Sequence, residues 1–251
     1  MEFLNSLWIL VPFCISSTLL LAYLSATFGR RIQILTFLVT GNETASLYVY
    51  HTLLLPGTIV HELSHWLAAT LLGVKTAGLS LRPQTPRRGQ VQFGALKAAA
   101  TDPARESLIG IAPLFIGSLI ILAVARYMLA INLVNVFEHP FETLQRMGQA
   151  QDAGLKIYLI LAIGNAMIPS SADLRSWRTV GIGLIILLVI GLLIGALSRI
   201  FPEVPSSITA GLESLAAALG IAIVLDLMII PSLWIVTYLL SALLGRRVHV
   251  N

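Results

Sequence analysis

Long apolar runs, broken by short polar stretches, organise this chain. Leu7–Phe28 carries no charge and ends just before Arg30 and Arg31. Tyr48–Gly73 is apolar with Glu62 as its one formally charged residue, and Ser107–Ala125 is uncharged up to Arg126. Ile157–Ala172, Thr179–Ser198 and Ser214–Gly245 follow, the last carrying Asp226 and Pro231. Crossing a bilayer takes roughly 20 apolar residues. The pattern therefore predicts an all-α polytopic membrane protein of about six transmembrane helices. The last should bend at Pro231, where the ring removes a backbone donor. Ile34–Val39 is too short to cross and reads as interfacial.

One stretch has a different period. In "AGLSLRPQTPRRGQVQFG", Leu79, Leu81, Val91 and Phe93 alternate with Ser80, Arg82, Gln90 and Gln92 around a Pro/Arg/Gly turn. Period two predicts a short β-hairpin between the second and third spans. Beyond it, Asp102 and Pro103 mark a helix start, as cap and first-turn residue.

Composition agrees with the runs. Of 251 residues 57% are hydrophobic and only 11% charged, about half the charge of a soluble domain. The mean hydropathy is +0.87. The opening "MEFLNSLWIL" lacks a basic start and a small-residue cleavage site, so it is expected to enter a retained first span. Cys14 is the single cysteine, which excludes disulfides within the chain and cysteine-rich metal sites. The net charge of +4 is explained by loop placement rather than nucleic-acid binding. With six spans, Lys75, Arg82, Arg87, Arg88, Lys97, Arg105, Arg175, Arg178, Arg246 and Arg247 share one side. Arg30, Arg31, Arg146, Lys156 and Arg199 face the other, and the positive-inside bias then puts both termini in the cytoplasm.

The candidate chemistry lies in "PGTIVHELSHWLAATLLG". His61, Glu62 and His65 match H-E-x-x-H, whose histidines sit four apart on one helical face and can share a metal. Zinc lowers the pKa of a bound water to about 7, and Glu62 is placed to take its proton. A mid-membrane carboxylate costs about 2.5–3.5 kcal/mol on insertion scales, so a bare structural role is the weaker explanation. A catalytic zinc usually has three protein ligands. In "GNAMIPSSADLRSW", Asp173 is the expected third ligand and Asn165 a substrate or oxyanion donor, with Pro169 breaking the helix between them. Two alternatives stay open: Asp173 as a solvated carboxylate paired with Arg175, and Asp226 as the ligand in its place.

These residues resemble the site-2 protease family of intramembrane zinc metalloproteases. Members carry H-E-x-x-H on one span and, two spans later, an Asn, a Pro-containing turn and an Asp eight residues after the Asn. Here those positions are His61, Glu62, His65, Asn165, Pro169 and Asp173. "ESLIGIAPLFIGSLIILAV" is similar to the span between them, and Leu174 stands where the family usually has Gly. The resemblance covers about residues 48–178, flanked by a first span and loop (1–47) and two further spans (179–251) in one transmembrane domain. It implies a hydrolase with one Zn2+ per chain that cuts a membrane-anchored protein substrate in or near its transmembrane segment. A non-catalytic metal-binding scaffold, or an ion- or proton-coupled transporter using Glu62 and Asp226, is the alternative. A CAAX-type prenyl protease would need a downstream glutamate ligand, and Glu203 and Glu213 lie in no matching motif.

Overall fold

A computed structural model describes residues 2–84, 92–98, 101–129, 140–168 and 203–245. In order these form α1 (Glu2–Thr40), α2 (Glu43–Leu53), α3 (Leu55–Leu71), β1 (Thr76–Gln84) and β2 (Gln92–Ala98). Then come α4 (Pro103–Ala123) with a π-helical turn (Val124–Met128), α5 (Pro140–Gln149), α6 (Ala153–Ala166) and α7 (Glu203–Leu244). Three helical segments among the described residues are long and apolar enough to cross a membrane: Ile9–Thr40, Pro103–Met128 and Ile208–Leu244. The shorter α6 is also apolar. The expected fifth span, Thr179–Ser198, lies outside the described residues.

The packing is that of a protein solvated by lipid. Leu19, Tyr23, Leu119, Tyr127 and Leu239 point outward, whereas Ser17, Ser25, Ser118, Thr237 and Asp226 are buried. Phe28 and Leu21 of α1, Ile121 of α4, Ile160 of α6 and Leu219 of α7 form one continuous core. The α1 helix packs chiefly along α7, and α3 lies against both α4 and α6. Small residues bring backbones close, as membrane helices require. A Cβ on Gly164 would stand 2.9 Å from the Cβ of Ala222.

Two expected boundaries are corrected. Arg30 and Arg31 do not end the first helix, and Ile34–Val39 is no separate interfacial piece, since α1 runs unbroken to Thr40. The Arg31 guanidinium sits 5.9 Å from the Trp234 ring centroid on α7, a cation–π contact that accommodates its charge beside the helix. Conversely, the expected second span is two helices. Pro56 has no N–H to bond Thr52, and its ring crowds the preceding turn, so α2 ends at Leu53 and α3 begins at Leu55. The joint is held from outside, because the Tyr158 hydroxyl on α6 donates to the Leu53 carbonyl at 2.8 Å.

The strands β1 and β2 pair antiparallel, with Leu79 opposite Leu96 and Gln84 opposite Gln92. Asp102 caps α4, its side chain accepting from the Arg105 N–H at 3.1 Å. That hydrogen bond, assisted by the Arg105 guanidinium, holds the Asp102 carboxyl below its ordinary value of 3.8.

Candidate metal centre

The site begins with a glycine. A Cβ on Gly57 would lie 1.9 Å from the carbonyl oxygen of Ala162, so α3 and α6 cross here in backbone contact. One turn further along α3, that closeness brings the end of α6 to His61. His61 Nδ1–H donates to the Ala166 carbonyl at 2.6 Å. Ala166 is the last residue of α6, and terminal carbonyls have no partner within their own helix.

His65 is held the same way from the other side. Its Nδ1–H donates to the Ile109 carbonyl of α4 at 2.7 Å. That carbonyl is free because Pro113, four residues on inside α4, has no N–H to give it. Neither carbonyl can donate, so each Nδ1 carries a ring hydrogen and each Nε2 is turned toward the other ring.

The two Nε2 atoms are 3.0 Å apart in rings set nearly at right angles, at 84°. Two ring nitrogens that close need a proton or a metal ion between them. Two imidazole nitrogens on one tetrahedral zinc, each about 2.0–2.1 Å from it, would be roughly 3.3 Å apart. The donor set fits such an ion, and a hydrogen bond from each Nδ1 to a carbonyl is the usual support of a metal-binding histidine. His61, Glu62, Ser64 and His65 are all buried, with Glu62 only 7% exposed. Ser64 returns its hydroxyl to the Val60 carbonyl at 2.6 Å and so adds no unpaired donor to the site.

Asp173 and Pro169 lie outside the described residues. Asn165 is buried beside Ala166, yet it does not offer its amide as a substrate donor in this arrangement. Its Nδ2 donates to the Leu161 carbonyl at 3.1 Å and to Asp226 Oδ1 at 2.7 Å, which engages both hydrogens. Asp226 is therefore tied to α6 rather than to the histidines. Among the described residues no three His, Cys, Asp or Glu side chains converge as a ligand set. The carbonyls of Ile109 and Ala166 belong to no sequence motif, although a proline four residues beyond Ile109 is a readable sign of a free acceptor.

No protein family, no curated protein and no solved structure matches this chain.

Proposed function

We propose that this protein is an intramembrane zinc metalloendopeptidase, of the kind the H-E-x-x-H resemblance implies, with His61 and His65 as two ligands of one Zn2+. The observation that carries this is the pair of Nε2 atoms turned toward each other at 3.0 Å, each ring fixed by a carbonyl that its own helix cannot use. Asp173 is proposed as the third ligand, in a multi-pass arrangement of about six spans with both termini cytoplasmic.

Zinc, when bound, supplies a Lewis acid that makes water a nucleophile near neutral pH. Glu62 takes a proton from the attacking water on its carboxylate and later gives it to the nitrogen of the leaving amine. Burial of Glu62 among apolar helices excludes bulk water from that transfer. A substrate helix hides its amides in internal hydrogen bonds, so it must unwind before attack. The antiparallel pair Thr76–Gln84 and Gln92–Ala98 has edges on which an extended peptide can pair.

Purified protein incubated with a broad panel of single-span membrane proteins tests the activity. Cleavage is expected to stop with a zinc chelator and return when zinc is restored. Zinc bound with no cleavage across the panel would favour the scaffold instead. A second expectation concerns Pro113. In Pro113→Ala a new N–H competes for the Ile109 carbonyl, and zinc affinity should fall about 10–100-fold, as for other supporting partners of metal ligands. Unchanged affinity would show that the Ile109 contact does not orient His65.

A further inference from the structure

Away from the histidines, a side-chain hydrogen bond between α6 and α7 leaves an unusual remainder. Asn165 Nδ2 donates to Asp226 Oδ1 at 2.7 Å, and Asp226 has no accessible surface. The second atom on each partner, Asn165 Oδ1 and Asp226 Oδ2, is buried and makes no hydrogen bond among the described residues. Both residues are more than nine-tenths buried. Among the described residues no Lys or Arg forms an ion pair with Asp226. Tyr50 of α2 feels the carboxyl electrostatically and brings no positive charge.

As an ionised group, Asp226 would be an uncompensated charge in the middle of an apolar helix, with Oδ2 lacking a donor among the described residues. Such burial is among the most unfavourable arrangements a protein can hold. A single hydrogen removes both defects. On Oδ2 it turns that atom into a donor, and the residue already bonded to Oδ1 carries an unpartnered acceptor, Asn165 Oδ1. The amide and the acid then close a ring of two hydrogen bonds, Nδ2–H to Oδ1 and Oδ2–H to Oδ1. We propose that Asn165 and Asp226 form a proton-binding site, with Asp226 held as the neutral acid and donating through Oδ2 to Asn165 Oδ1. No metal is involved, and the proposal does not rest on the protease assignment. The site clamps α6 to α7 one residue before the carbonyl that holds His61.

Infrared spectroscopy of the whole protein in lipid at neutral pH tests it. The wild type is expected to show a carboxylic-acid C=O band that moves on 13C-aspartate labelling and disappears in Asp226→Asn. In Asn165→Ala the acid loses its donor partner, and the band should move to higher frequency. Thermal melting gives a second readout. An amide at 226 can still accept from and donate to Asn165, so Asp226→Asn should melt within about 3 °C of wild type. Asp226→Leu, which leaves Asn165 Oδ1 and one Nδ2 hydrogen unpaired, should melt at least about 6 °C lower. A wild type with carboxylate bands only, or an Asp226→Asn that falls as far as Asp226→Leu, would overturn the proposal.

Discussion

Glu62→Gln is expected to retain its zinc and lose cleavage. The substitution keeps size and burial and leaves His61 and His65 on their carbonyl partners, so the metal count per chain should match wild type. What disappears is the only carboxylate in the motif, and with it the acceptor for the water proton and the donor to the leaving amine. General acid–base catalysis contributes about 10²–10⁴-fold, so turnover should fall by at least that factor. Metal analysis and substrate cleavage on the same preparation check it. Cleavage within a few-fold of wild type would remove Glu62 from the chemistry.

The second large effect comes from a residue that touches neither metal nor substrate. Gly57→Ala puts a carbon 1.9 Å from the Ala162 carbonyl oxygen, where real contacts are not found below 3.0 Å. The nearest obstacle is the Ala162 backbone carbonyl, with the rigid Ala166 Cβ 2.7 Å away, so α3 and α6 must separate. Overpacking of this kind costs about 3 kcal/mol, which for a chain of this length corresponds to roughly 6–12 °C in Tm. The same separation draws Ala166 away from His61 Nδ1, so zinc affinity should fall together with stability. Gly148→Ala is the control, since nothing lies within 4 Å of its added carbon. A clash with the end of a flexible side chain could be relieved by a rotamer change; a backbone clash cannot. Gly57→Ala with wild-type melting and metal content would mean that the helix crossing does not set the site.

Local spacing carried the histidine pair and little of what surrounds it. His61 and His65 share a helical face whatever surrounds them, and the Asp102 cap is likewise a local matter. The carbonyls that orient the histidines come from Ile109 and Ala166, 44 and 105 residues away, and only tertiary packing brings them there. Asn165 shows the limit most clearly. Its type and position read as a substrate donor, but Asp226, 61 residues on, already holds its amide. Helix boundaries failed for a related reason. Arg30 and Arg31 looked like a membrane edge until Trp234 supplied a face for the Arg31 charge, whereas Pro56 inside an apolar run broke a helix that hydropathy alone would have joined.

The presence of one divalent metal between two imidazoles is best examined by zinc-edge X-ray absorption on the purified protein. About one zinc per chain is expected, with imidazole nitrogens at about 2.0–2.1 Å, and both metal and signal should be lost in His61→Ala. A protein that cleaves its substrate without zinc, or a zinc shell with no imidazole in it, would contradict the assignment.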